Sequence, residues 1–378
     1  MVVEAPSAAA SRAAAAHRFI ALDSLRGLAA LAIVFYHMGD FGWVAGLPPF
    51  RYGWMLVDFF FILSGFVITW SYGERLAMGY PRTGFVLVRL GRMYPLHIAT
   101  VLLFVILEFA LFRPVLHEAH SLTELVRGIF LLDAFRTGAG NFYAPVSWAV
   151  AVELVLYVIA ASMFGRGRSA IAIAVLLAAI SAWALWTGFN VPGFGRLLQR
   201  GLLAFPLGVL ACWLYRRMEG RKPGVLLASM MEIALFALLV WLLWLPGKYA
   251  NWIPGMDVLF LVMVLVFAWD AGIVSRVLQW QPLVTLGTLS FALYMMHLFY
   301  VILPNRLLPH MFEATGHPDW IATKPDKFGL LSVAPPPALA TAISLSLLAL
   351  AIGTAWLAWR YIEEPAREWS RRFANPHK

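Results

Sequence analysis

An aspartate, an arginine and a histidine interrupt an otherwise apolar stretch, Asp23-Ser24-Leu25-Arg26-Gly27-Leu28 through Phe35-Tyr36-His37. Eleven helical steps return His37 to within roughly 20° of the face that carries Arg26, about 16 Å further along the axis. One stripe of one helix therefore holds a fixed cation and a proton acceptor at different depths. An ionisable group in hydrocarbon costs on the order of 3 kcal/mol unless it is paired or faces a polar cavity, so both are candidates for function. The bland alternative is an Arg26–Asp23 helix clamp with a histidine at the far interface. Arg89-Leu-Gly-Arg92 puts two guanidinium groups on one helical side, a spacing that can clamp phosphate oxygens or simply anchor a span. After Ser147-Trp148, Glu153 and Tyr157 share a face one turn apart, and a buried glutamate needs a partner or a task. Ser290, Tyr294 and His297 fall at i, i+4 and i+7, a third polar stripe. Asp58, ahead of Phe59-Phe60-Phe61, requires a cation, and Arg26 is the nearest kind of candidate. Ser64-Gly65 in the same run would let a neighbouring helix approach closely.

The elements that must position these groups follow from composition. The chain has 378 residues, of which 61% are hydrophobic and 13% charged, against about 25% charged in soluble domains. It reads as an all-α polytopic membrane protein. Spans of about 20 apolar residues are expected at Ile20–Met38, Trp54–Trp70, Tyr94–Phe112, Val146–Phe164, Ser169–Thr187, Leu202–Leu214, Val225–Leu245, Met256–Asp270, Leu283–Leu303 and Leu339–Trp359. With the N-terminus inside, eighteen of the 29 Lys and Arg residues fall on inner segments and ten on outer ones, as the positive-inside rule requires. Both termini are then cytoplasmic. The expected organisation is a mobile tail over 1–18, a transmembrane domain over 19–362 and a cytoplasmic tail over 363–378. Nothing in the opening segment resembles a cleaved leader. Between Arg113 and Ala144, Leu122, Leu125, Val126, Ile129, Phe130 and Leu132 follow helical spacing, predicting an amphipathic helix on the outer face. Prolines between Pro304 and Ala338 predict a segment without regular structure. Both loops are candidate roofs over a cavity.

Several classes are excluded. The net charge of +9 is dispersed in short clusters between apolar runs, which is membrane topology and not a nucleic-acid surface. A single cysteine, Cys212, rules out an internal disulfide and a multi-cysteine metal cluster. His117-Glu118-Ala119-His120 lacks the spacing that places two histidines on one helical face, so no metal is expected. Glu232 and Asp257 are further intramembrane or boundary acids for which local pairing suffices.

Taken together, Leu22-Asp23-Ser24-Leu25-Arg26-Gly27-Leu28 with His37, Asp58-Phe-Phe-Phe-Ile-Leu-Ser-Gly-Phe66, Arg89-Leu-Gly-Arg92, Trp148 to Glu153 to Tyr157, Gly287 through Ser290 and Tyr294 to His297, and Ile362-Glu363-Glu364-Pro365 resemble the membrane acyltransferase family 3, of the O-antigen and exopolysaccharide acetylase type. The resemblance runs through nearly the whole chain, in order. It implies a ten-helix bacterial inner-membrane protein that moves an acyl group, usually acetyl from acetyl-CoA, onto a hydroxyl of a glycan. By that likeness Arg26 and His37 are the essential pair, Arg89 and Arg92 bind coenzyme A, and Glu153 is a further site residue. Asp23, Asp58, Trp148, Tyr157, Ser290, Tyr294 and His297 are supporting candidates. Two departures stand out: Ala149 replaces the serine usual after the tryptophan, and no extracytoplasmic esterase-like domain is expected after the tenth helix.

Acyl transfer to an alcohol needs a base, a donor to the oxyanion and a site that excludes water. His37 is the natural base, with Glu153 or Asp58 expected to fix its tautomer, while Arg26 either stabilises the oxyanion or holds the pantetheine arm. The donor would enter from the cytoplasm past Arg89 and Arg92, and the acceptor from the opposite face. The rival reading is a proton-coupled secondary transporter, which also uses intramembrane acids and bases; against it stand the absence of a repeated half and of paired broken helices.

Overall fold

The computed structural model describes residues 18–39, 41–107, 121–135, 143, 145–167, 169–189, 194–218, 221–246, 249–325 and 331–374. The helices that matter here are α1 (Ile20–Met38), α2 (Leu56–Ile68), α3 (Arg82–Leu107), α4 (Leu122–Ile129), α5 (Ser147–Phe164), α6 (Ser169–Thr187), α7 (Arg196–Arg217), α8 (Val225–Trp244), α9 (Ile253–Phe267), α10 (Gln281–Met296), α11 (Phe299–Ala314), α12 (Pro337–Ala358) and α13 (Glu364–Ala374). Each of the ten expected spans contains a helix. Among the described residues eight helices are long and apolar enough to cross a membrane, α9 is shorter, and α10 and α11 form a further candidate bent by 52°. The protein is an all-α integral membrane protein. The expected tail over 1–18 falls, except for Arg18, outside the described residues.

Glycines set the closest crossings, because only a missing Cβ lets helix backbones meet at this range. A Cβ on Gly27 of α1 would strike the backbone of Leu286 and Gly287, and one on Gly287 of α10 the backbone of Asp23. Likewise, Gly65 of α2 abuts the backbone of Phe205, and Gly208 of α7 that of Ile62. These two crossings carry the polar groups: the first lays Arg26 beside α10, the second lays Asp58 beside α7.

Three expectations about local structure are corrected. The ninth span is broken at His297 and Leu298, because His297 Nδ1 lies 2.7 Å from the carbonyl of Tyr294 and claims the acceptor that would continue the ladder. The segment after Pro304 is not irregular: α11 continues through Pro304 and Pro309 to Ala314, burying Val301, Ile302, Pro309 and Phe312. It is followed by an antiparallel pair, β1 (Ile321–Pro325) and β2 (Leu331–Val333), with Ile321 opposite Val333. The third helix begins at Arg82, so Arg89 and Arg92 lie on it and not before it. Within the expected cytoplasmic tail over 363–378, residues 363–374 are helical, since α12 runs through a π-turn, Trp359–Glu363, into α13.

An amphipathic helix is expected between Arg113 and Ala144, and α4 lies there. Ser121 caps it by accepting from Glu124 N at 3.3 Å, and Leu122, Val126 and Phe130 are exposed. It is tied to α3 by His97 Nε2, 2.8 Å from Gly128 O, and by Tyr94 Oη donating to Ile129 O at 3.1 Å.

Candidate active site: two cavities either side of a tyrosine–histidine partition

The polar stripes of α1, α3, α5 and α10 meet at a cavity of about 110 Å³. Arg26, Arg89, Arg92, Ser64, Glu153, Tyr157, Ser290 and Tyr294 line it, with Phe60, Phe61 and Phe291 among the apolar wall. Three arginines therefore converge on one space, the arrangement suited to phosphate or carboxylate oxygens.

Each arginine is held differently. Arg26 Nε donates to Ser290 Oγ at 2.8 Å and its Nη2 to Gly287 O at 2.8 Å, with Asp23 at 3.7 Å. Asp23 itself is engaged by Arg18 at 2.7 Å. Arg92 sits 3.9 Å from buried Glu363. Arg89 stacks over the ring of Tyr72, 4.9 Å from its centroid, and its buried Nε makes no hydrogen bond. A buried guanidinium N–H left without an acceptor is costly, and the same side chain lines the cavity.

On the opposite wall Glu153 accepts from Ser64 Oγ at 2.8 Å and from Tyr157 Oη. The one-turn spacing of Glu153 and Tyr157 is thus realised as a direct bond. Ser64, expected only to ease helix approach, proves to be a partner of both; a hydroxyl beside a packing glycine was the available signal.

His37 is not in this cavity. It lines a second space of about 680 Å³ with Phe41, Trp43, Tyr300, Asn305, Val333 and Pro337. The two spaces share no lining residue. What divides them includes Tyr294, which faces inward, and buried His297, whose ring lies 5.8 Å from Tyr294 and 4.8 Å from His37 between centroids. His37 Nδ1 is 2.9 Å from Ile33 O and 3.1 Å from His297 Nε2. Because His297 Nδ1 must donate to the Tyr294 carbonyl, its Nε2 is an acceptor. His37 Nδ1 then carries the hydrogen, and the lone pair of His37 resides on Nε2. The expectation that Glu153 or Asp58 fixes this tautomer is corrected: the α1 backbone and His297 do so.

Asp58 is also paired otherwise than expected. Its partner is Arg200 of α7, which donates from Nε at 3.0 Å and 3.2 Å and from Nη2 at 3.1 Å, and also reaches Trp54 O at 3.1 Å. The rings of Trp54 and Trp148 stand 4.8 and 5.5 Å from the guanidinium, a cation–π enclosure. Trp148 therefore shields this pair and does not line either cavity. Arg26 is one crossing away, occupied by α10. Asp257 belongs to the same buried region, and neither of its carboxyl oxygens has a hydrogen-bond partner. Glu232, by contrast, is saturated by Gly272 N, Ser275 N and Ser275 Oγ at 2.9, 2.9 and 2.6 Å. His117 and His120 lie outside the described residues.

A helical bundle that lines one cavity with arginines and a carboxylate, and another with an oriented imidazole, defines a polytopic membrane protein with polar sites among its helices. The acyltransferase-domain family model matches residues 19–360, and the chain belongs to that family, a membrane O-acyltransferase. Among its relatives is Protein 2 in picA locus of Rhizobium radiobacter, 34% identical over 44% of this chain and 91% of that protein. The acyltransferase MdmB of Streptomyces mycarofaciens is 24% identical over 92% of this chain and 91% of its own length. The putative peptidoglycan O-acetyltransferase YrhL of Bacillus subtilis is 25% identical over 76% of this chain and 49% of its length. The chain thus spans about half of that relative. No solved structure matches the chain.

Proposed function

We propose that this protein is an acyl-CoA-dependent O-acyltransferase of the bacterial plasma membrane that delivers an acetyl group to a hydroxyl of a glycan or sugar-containing acceptor. Both termini are assigned to the cytoplasm, since the side that carries Arg18, Arg89 and Arg92 holds the excess of basic residues. The observation that carries the reading is the convergence of Arg26, Arg89 and Arg92 on one cavity whose far wall ends at the partition behind His37. Coenzyme A would present its phosphates to Arg89 and Arg92, with Arg26, fixed by Ser290, holding the arm. Arg26 stands about 16 Å from His37 by helical rise, which favours holding the donor over stabilising an oxyanion at the histidine. The acceptor hydroxyl would wait in the outer space beside His37. For transfer, the thioester carbonyl must reach the partition at Tyr294. His37 Nε2 removes the hydroxyl proton as the oxygen attacks the carbonyl carbon, the C–S bond breaks, and the proton passes to the departing thiolate.

Purified protein supplied with acetyl-CoA and envelope glycan is expected to release free thiol in step with acetylated product. His37→Ala should lower the rate by about 10²-fold or more, the size of a lost general base. Undiminished turnover by that variant overturns the mechanism, and solute uptake without thiol release would favour a transporter.

A further inference from the structure

The basic motif of α3 is completed by a part of the chain that lies far from it in sequence. Gly91, between Arg89 and Arg92, is the point where α13 docks: a Cβ there would meet Ser370 Cβ and Oγ. Ser370 is buried, and Arg367, Ser370 and Arg371 lie at i, i+3 and i+4, on one side of α13. The opposite side exposes Trp369 and Phe373, stacked at 5.4 Å. Arg371 is exposed and within electrostatic reach of Tyr72, Arg89, Arg92 and Arg367. Glu363, at the start of the same segment, holds Arg92, and Arg367 donates to Glu364 at 2.6 Å. Buried Arg89 Nε and Arg367 Nε still have no hydrogen-bond acceptor. Bringing four guanidinium groups together raises a positive field that two glutamates only partly offset, and such a field recruits an anion.

Resting on the donor assigned above, we propose that α13 is one wall of the donor site, and that Arg371, with Arg89, binds the phosphates of the adenosine end of coenzyme A. The two arginines on the α3 motif alone would grip one phosphate group, whereas this donor carries three. The C-terminal helix supplies the remaining positive charge, and Gly91 is small so that it can sit close enough to do so.

The test compares acetyl-CoA with acetyl-pantetheine, which has the thioester and arm but no adenosine phosphates, in nanodiscs made with and without phosphatidylglycerol. Arg371→Ala, an exposed position, is expected to raise KM for acetyl-CoA about tenfold, the loss of one charge-assisted contact, and to move KM for acetyl-pantetheine less than twofold. Ser370→Leu, which unseats α13 from Gly91, should give the same selectivity. Unchanged KM values, or equal changes for both donors, overturn the proposal. So does an effect seen only with phosphatidylglycerol present, which would make Arg371 a lipid-headgroup contact. If the wild-type protein releases no thiol from acetyl-CoA, the donor assignment fails on its own account. Binding of adenosine 3′,5′-bisphosphate by calorimetry then decides α13 directly, with a tenfold weaker Kd for Arg371→Ala expected and an equal Kd refuting it.

Discussion

His297 offers a perturbation whose size can be worked out in advance. It lines neither cavity, yet its Nε2 lies 3.1 Å from His37 Nδ1, and its own Nδ1–H is anchored on Tyr294 O. In the proposed mechanism His37 takes a proton from the acceptor and becomes an imidazolium, and the bond to His297 would become charge-assisted. A hydrogen bond to a charged group contributes about 1.5–3 kcal/mol, and each 1.4 kcal/mol is tenfold in rate. His37 keeps Ile33 O as a second acceptor at 2.9 Å, so the lower end of that range applies. His297→Phe, which preserves an aromatic ring and removes the acceptor, should lower kcat about tenfold. KM for acetyl-CoA should stay within twofold, because the donor cavity is untouched. His297→Gln retains an oxygen able to accept from His37 and should recover at least half of the lost rate. Continuous thiol release by purified protein, at saturating donor and varied acceptor, reads all of these quantities. A His297→Phe variant with wild-type kcat would show that the imidazole pair has no part in proton transfer. A Gln variant as poor as the Phe variant would show that packing, and not the hydrogen bond, is what His297 supplies.

Two further outcomes test how the site is held in place. The Asp58–Arg200 pair is almost wholly shielded, with side chains 1% and 8% exposed, so Asp58→Ala strands a buried cation and should cost about 3–5 kcal/mol. This would be seen as a lower midpoint in fluorescence-detected thermal melting, with much of the loss recovered in Asp58→Asn/Arg200→Met; full stability of the single variant would refute the pairing. Gly208→Leu, which drives a side chain into Ile62 O, should prevent recovery of monodisperse protein, whereas Gly224→Ala, with open space around it, should behave as wild type on size exclusion.

Much of this arrangement was legible because helical periodicity and hydrocarbon thickness are strong constraints. The bounds of α1 and α6 fall where apolar length alone puts them, and Glu153 meets Tyr157 because four residues make one turn. Pairing across helices was not legible. Arg200 stands two residues before the expected start of its span, so it counted as a loop charge, but α7 begins at Arg196 and carries it inward to Asp58. Arg26 and His37 share one face of α1, yet a face about 16 Å long, at about 1.5 Å of rise per residue, can pass from one cavity to another. Spacing within a helix does not report the wall contributed by α10. The kink at His297 is not legible in the sequence because it is made by a side chain competing for a carbonyl, which no apolar pattern records. α13 looked like a tail because its surroundings, Gly91 on α3, lie more than 270 residues earlier in the chain.

The partition formed by Tyr294 and His297 also bears on bioenergetics. A bore wide enough for a pantetheine arm and open at both ends would let hydrated protons run down their gradient and short-circuit the cell. On the proposed function, keeping the compartments closed to one another at rest would allow an acetyl unit to change sides of the bilayer while ions do not. The same closure would spare the thioester from water arriving from outside, so that insulation of the membrane and economy of the activated donor depend on one layer of side chains.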